Sequence, residues 1–186
     1  MLTLAISQPT YLPWLGYFDL MHQCDVFIFL DNVQFEKRGW QQRNKIKTSH
    51  GELLLTVPIK SKGRYKQKIN ETMIDTSQDF KKKHLNSIKN SYKKSKYFND
   101  YFPEIEEIIN NSTSSLVELN ISLILWVAKK TFIACKTDKS SNLNSKGRKV
   151  DLLIDICKKY KATHYISAIG SKNYIDENNL FEENNI

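Results

Sequence analysis

Two clusters of unlike polar side chains stand out, and each follows a short apolar run. The first is Ser7-Gln8-Pro9-Thr10-Tyr11-Leu12-Pro13-Trp14-Leu15-Gly16-Tyr17-Phe18. Gln8 can donate and accept two hydrogen bonds each, and Gly16 permits close approach of a ligand or a second backbone. Tyr11 and Tyr17 add hydroxyls. The second cluster is Asp31-Asn32-Val33-Gln34-Phe35-Glu36-Lys37-Arg38-Gly39-Trp40-Gln41-Gln42-Arg43-Asn44-Lys45. Arg38 and Arg43 carry planar forks that match phosphate or carboxylate. Trp40 offers a flat face to a sugar ring or a base. Asp31 has the chemistry of a general base, a metal ligand or an arginine partner. Gln34 and Asn44 add amides. Together these types suit an anionic, ring-bearing substrate and a proton transfer beside it. Plainer readings compete: Trp14, Tyr17 and Phe18 as core residues, and the second cluster as a surface hairpin with a solvated charge run. A third stretch, Tyr165 to Tyr174, ends a strand in a Ser/Gly-rich turn. Ser167 and Gly170 there could present backbone N–H groups to an anion, or simply turn the chain.

The elements that must position these groups follow from the apolar pattern. Thr3 to Ser7 reads as a buried strand, Trp14 to Gln23 as a helix, and Val26 to Leu30 as a second buried strand. Strand, helix, strand is a βαβ unit, and two continuous apolar strands imply a parallel sheet covered on both faces. Gln8 and Asp31 should then leave the same sheet edge, within about 12 Å of each other. In open α/β sheets that carboxyl edge is where ligands bind. Lys45 to Lys47 and Leu53 to Ile59 read as further strands around Ser49-His50-Gly51. Gln78 to Tyr97 reads as a helix with Phe80, His84, Ile88 and Tyr92 on one stripe. Pro103 opens a shorter helix, and Ser114 to Phe132 is an apolar one. Lys136 to Lys149 reads as a loop, Val150 to Tyr160 as an amphipathic helix, and Thr163 to Ser167 as a last strand. The expected fold is α/β: a mostly parallel sheet with a βαβ start, flanking helices, and a helical subdomain over residues 78–133 within one domain.

Absent motifs narrow the chemistry. There is no HExxH, CxxC, GxSxG or GxGxxG, and the third stretch lacks the Walker A spacing. No metal site is expected, and the residues leave the cofactor unknown. His22 and Cys24, two apart, face apart on a helix. Cys24, Cys135 and Cys157 are scattered and odd in number, which predicts reduced thiols and a cytoplasmic protein. Cys24 sits at the amino end of its strand, about 20 Å from Asp31 at the other end. It is expected to be a small buried apolar residue.

The 186 residues are 40% hydrophobic and 26% charged, a globular composition without a membrane span or a signal peptide. Net charge is +8, and residues 36–96 hold 17 of the 28 cations against five of the 20 acids. That block is either a footprint for phosphates or nucleic acid or the default of a lysine-rich composition. Only four cations are arginine, so Arg38 and Arg43 are the more informative.

In order, Gln8-Pro9 through Gly16-Tyr17-Phe18, Asp25-Val-Phe-Ile-Phe, Asp31-Asn-Val-Gln-Phe, Lys37-Arg38-Gly39-Trp40, Arg43-Asn44, Val57-Pro58 and Tyr165-Ile166-Ser167 to Tyr174-Ile175-Asp176 resemble the WbqC-like protein family. The resemblance spans nearly the whole chain. It implies a role in O-antigen-type surface-polysaccharide biosynthesis, with acyl or aminoacyl transfer to an amino sugar as the supposed step. The substrate would be a sugar nucleotide or a lipid-linked sugar. The resemblance carries over to Gln8, Pro9, Gly16, Tyr17, Asp31, Gln34, Arg38, Gly39, Trp40, Arg43, Asn44, Ser167, Gly170 and Tyr174. Ala168 departs from it where Gly is expected, and it implies a further segment after Ile186. At fold level the start also resembles cytidylyltransferase-like nucleotidyltransferases. The two histidines those place around a Gly are missing from Trp14-Leu15-Gly16-Tyr17, so adenylyl transfer does not carry over. The leading expectation has Asp31 and Gln8 as catalytic groups. Tyr11, Gly16, Tyr17, Gln34, Arg38, Trp40, Arg43, Asn44, Ser167, Gly170 and Tyr174 are expected to bind substrate. A non-enzymatic nucleic-acid-binding or scaffold protein using the 36–96 block is the competitor.

Overall fold

The computed structural model describes residues 1–168 and 179–186. The chain packs as two compact units, one of Met1–Pro9, Trp14–Asn32 and Val127–Ile186, the other of Thr10–Pro13 and Val33–Trp126.

The first unit is built on a sheet of four parallel strands in the order β5-β2-β1-β6. These are β1 (Thr3–Ser7), β2 (Val26–Phe29), β5 (Lys136–Lys139) and β6 (His164–Ile166). All four residues of β2 are buried, so both sheet faces are covered and the uninterrupted Val-Phe-Ile-Phe run is explained. Helix α1 (Leu15–His22) buries Tyr17, Phe18, Leu20 and Met21, with the Tyr17 ring 5.3 Å from Phe27. Helix α5 (Val150–Tyr160) buries Leu152, Leu153, Ile154, Ile156 and Cys157. A short helix, α6 (Leu180–Glu183), stacks Phe181 on Tyr165. The expected loop at Lys136–Lys149 is corrected, because its first four residues are β5 and Ser140–Asn142 is a 3-10 turn. Lys-Thr-Asp-Lys carries no apolar signal because an edge strand is wetted on its open side.

The second unit holds the antiparallel hairpin β3 (Arg43–Thr48) and β4 (Gly51–Thr56), paired Arg43 to Thr56 through Thr48 to Gly51. It also holds α2 (Phe80–Tyr92), α3 (Phe98–Asn111) and most of α4 (Leu116–Lys130). The expected stripe on α2 is present, with Phe80, His84 and Ile88 buried. That helix ends at Tyr92 rather than Tyr97, within a polar Lys-Lys-Ser-Lys run that has nothing to bury. Pro103 lies inside α3 instead of opening it. Its fixed φ suits the helix, at the cost of one N–H bond. Among the described residues no helix is long and apolar enough to cross a membrane.

Candidate functional site

The register of the first unit brings three expected residues to one sheet edge. Ser7 stands opposite Phe29, and Leu30 N donates to the Ser7 carbonyl at 2.9 Å. Gln8 and Asp31 therefore leave adjacent strands on the same side. Ala5 pairs with Ile166, so Ser167 follows β6 on that side too. The chain runs outward from β1 to β2 and β5, then places β6 on the opposite flank of β1. Gln8 and Ser167 thus flank the topological switch point, where open parallel sheets bind ligands. Gly170 and Tyr174 lie outside the described residues.

Asp31 is 1% exposed. Its Oδ1 accepts from Ser141 N at 2.9 Å and lies 3.0 Å from Ser140 Oγ, and its Oδ2 accepts from Ser141 Oγ at 2.7 Å. In return, Asp31 N donates to Ser140 Oγ at 3.1 Å. A general base needs a lone pair within reach of substrate. This carboxylate instead ties the 3-10 turn after β5 to the end of β2, which is an anchor's geometry and differs from the expected base. Tyr17 is likewise internal, and Gly16 is half-buried. The Tyr17 hydroxyl donates to the Gln8 carbonyl at 3.2 Å, and burial pushes its pKa far up. The face of Gly16 lies under the Trp14 indole, where a Cβ would clash.

The other expected residues belong to the second unit and form one braced turn. Gly39 N donates to the Glu36 carbonyl at 3.0 Å, and Gln42 N to the Gly39 carbonyl at 3.3 Å. Arg38 sits at φ 64°, its N–H donating to Gln42 Oε1 at 3.0 Å. Gln42, buried, donates from Nε2 to the Val57 carbonyl at 3.2 Å. A Cβ on Gly39 would stand 2.9 Å from the Glu36 carbonyl oxygen, so the turn closes only around glycine. Tyr11 N donates to the Trp40 carbonyl at 3.0 Å. Asn44 Nδ2 lies 3.2 Å from the Tyr11 carbonyl and 2.6 Å from that of Leu12, which itself holds φ 47°. Gln34 Nε2 donates to the Tyr65 carbonyl at 3.2 Å. Gln42 and Asn44 thus brace the turn, and what it displays is cationic and aromatic. Trp40 is 56% exposed, Arg38 is exposed and Arg43 half-buried. Among the described residues no carboxylate pairs with either guanidinium.

Behind this turn is a contact the sequence did not signal. Tyr11 is fully buried, and its hydroxyl meets His84 Nδ1 at 2.8 Å. Burial pulls the imidazole down to about 4, partly opposed by a hydrogen bond with the Thr56 backbone. His84 is therefore neutral near pH 7, and Tyr11 braces the loop rather than facing substrate. The α2 stripe marked His84 as buried, but nothing in the sequence marked its partner 73 residues away.

The second unit also contains a cavity of about 500 Å³, bordered by Leu12, Ile46, Ile88, Tyr92, Phe98 and Tyr101, with Lys45 and Lys96 on its lining. Among the described residues no three His, Cys, Asp or Glu side chains are grouped to hold a metal ion.

A parallel sheet with its switch point between β1 and β6, and a long stretch carrying the arginine turn between β2 and β5, define an α/β protein with an inserted second unit. The WbqC-like protein family model matches residues 8–186, and the chain belongs to that family. It is 35% identical over 180 residues to "Uncharacterized protein Rv1507c" of Mycobacterium tuberculosis (strain ATCC 25618 / H37Rv), covering 96% of this chain and 77% of that protein. No solved structure matches it.

Proposed function

We propose that the protein is a transferase of surface-polysaccharide biosynthesis that adds an acyl or aminoacyl group to an amino sugar carried on a phosphate. One observation carries the substrate class: the braced Glu36–Gln42 turn displays Arg38 and Trp40, with no carboxylate among the described residues on the guanidinium. An exposed guanidinium two residues from an exposed indole suits a sugar phosphate, since the fork takes two phosphate oxygens and the indole covers a ring face. Arg43, at the start of β3, supplies a second fork. In the first unit, Gln8 and Ser167 stand at the switch-point edge, where open parallel sheets take ligands. Asp31 acts as a positioning residue for that edge. The transfer step itself is drawn from the family. The sugar amine bonds the acyl carbon, the donor's carrier departs with the bonding electrons, and the amine proton is lost. The apolar cavity bordered by Leu12, Ile46 and Ile88 favours a lipid-linked acceptor, because an aliphatic chain fills it.

Titration calorimetry with a nucleoside-diphosphate amino sugar and a short-chain prenyl-phosphate amino sugar tests this reading. Arg38→Lys and Arg43→Lys should each weaken binding about tenfold, because Lys lacks the fork, and leave thermal stability nearly unchanged. A stability loss of several kcal/mol, the scale of a broken buried ion pair, would make that arginine structural. Tight nucleic-acid binding that collapses steeply with salt, without sugar-phosphate binding, would transfer the role to the 36–96 basic block.

A further inference from the structure

The amino edge of the first unit's sheet carries chemistry that the carboxyl-edge reading does not use. Cys24 and Cys135, scattered in the sequence, are brought together there. Val26 stands opposite Lys136 in the parallel pairing of β2 and β5, and Lys136 N donates to the Asp25 carbonyl at 2.9 Å. Cys24 and Cys135 are therefore diagonal neighbours. One strand spacing and one residue of rise put their Cα atoms about 6 Å apart, inside the range a disulfide spans. Both are free thiols, and both line one cavity.

The pair is asymmetric. Cys24 is buried, and its thiol donates to the Met21 carbonyl at 3.5 Å. Cys135 is only half-buried. The nearness of the two thiols draws the Cys135 pKa down and raises that of Cys24, which burial raises further. Both line an open cavity of about 560 Å³, bordered also by His22, Asp25, Phe132 and Lys136. That is room for a small molecule. The Asp25 carboxylate is held by Thr3 N at 2.7 Å. The third thiol, Cys157, is fully buried in α5, and burial pushes it up to about 12.

We propose that Cys24 and Cys135 form a reactive dithiol site for small-molecule disulfides, with Cys135 the attacking sulfur and Cys24 the resolving one. The Cys135 thiolate bonds one sulfur of the disulfide RSSR, whose S–S bond breaks and releases RS⁻. Cys24 gives up its proton, which leaves with the departing thiolate as RSH. The Cys24 sulfur then bonds Cys135, expelling the second R group as a thiolate. Two protein thiols are oxidised to one disulfide, and RSSR is reduced to two thiols.

The test uses the full chain, reduced and then exposed to oxidised glutathione, with peptide mapping under non-reducing conditions. The expected product is a Cys24–Cys135 disulfide, with Cys157 unmodified. Cys24→Ser should accumulate a glutathione mixed disulfide on Cys135, and Cys135→Ser should leave Cys24 unmodified. Labelling of the reduced wild type with iodoacetamide needs no variant, and should mark Cys135 at least about tenfold faster than Cys157. A wild type that stays fully reduced, a bridge to Cys157, or glutathione found on Cys24 ahead of Cys135 would each overturn the assignment.

Discussion

At the residue scale, the side chains expected to do chemistry divide into those that display and those that brace. Arg38, Trp40 and Arg43 display. Asp31, Asn44, Gln42, Tyr11 and Tyr17 brace, and in each case the partner is a specific backbone or side-chain atom. The division makes Asp31 testable. Asn can keep the geometry, since its carbonyl takes the two bonds at Oδ1 while its NH₂ donates to Ser141 Oγ. Asp31→Ala leaves Ser141 N–H without its acceptor and should cost about 3 kcal/mol, the scale of hydrogen bonds to a buried charge. Asp31→Asn should keep most of that stability and most ligand binding and turnover. Urea unfolding and a transfer assay on both variants check this, and a well-folded, inactive Asp31→Asn would restore the carboxylate as a base. His84 gives a second case. Its imidazole titrates at about 4 folded and near 6.5 unfolded. A histidine lowered on folding stabilises the fold above pH 6.5, and that contribution is lost as the pH falls toward 4. The difference amounts to about 3 kcal/mol over that interval. Urea unfolding at pH 7 and pH 4 should show the wild type losing this much more than His84→Asn, which cannot charge. Equal losses in the two proteins would mean that the ring is protonated in the fold.

At the scale of elements, legibility tracks burial. The strands Thr3–Ser7 and Val26–Phe29 and the helix Val150–Tyr160 are central or one-faced, so an apolar run or stripe announces them. β5 is an edge strand of Lys-Thr-Asp-Lys, whose backbone pairs with β2 and whose side chains carry no apolar signal. The partners of Asp31 were unreadable for a related reason: Ser140 and Ser141 stand 109 and 110 residues away, in the 3-10 turn that follows that unannounced strand. The Cys24–Cys135 contact depends on the same strand. One helix end offers a check on local strain. Lys161 caps α5 in the left-handed region, φ 54° and ψ 36°, with its N–H on the Cys157 and Lys158 carbonyls. Glycine occupies that conformation without a Cβ penalty. Lys161→Gly should therefore stabilise the protein by about 0.5–1 kcal/mol, read as a higher urea midpoint at unchanged m-value. A lower midpoint would show that the lysine side chain makes a contact worth more than the strain.

At the scale of the whole molecule, the order β5-β2-β1-β6 gives the two inner strands partners on both sides and the outer strands one. Native-state hydrogen exchange should find the amides of Leu4, Ala5, Phe27 and Ile28 among the slowest, and those of the outer strands faster, because the outer strands open without breaking the rest of the sheet. Uniform protection across all four strands would mean that the sheet opens only as one body. The same connectivity bears on how the protein is made. β2 leaves the ribosome more than a hundred residues before β5, and β1 waits for a partner 161 positions further on, at His164. The stretch from Val33 to Trp126 is synthesised in that interval. Newly made chains therefore pass through a period in which the most apolar strands exist without their outer neighbours. That is the interval in which a nascent chain is exposed to aggregation and in which a chaperone would have its longest opportunity to act.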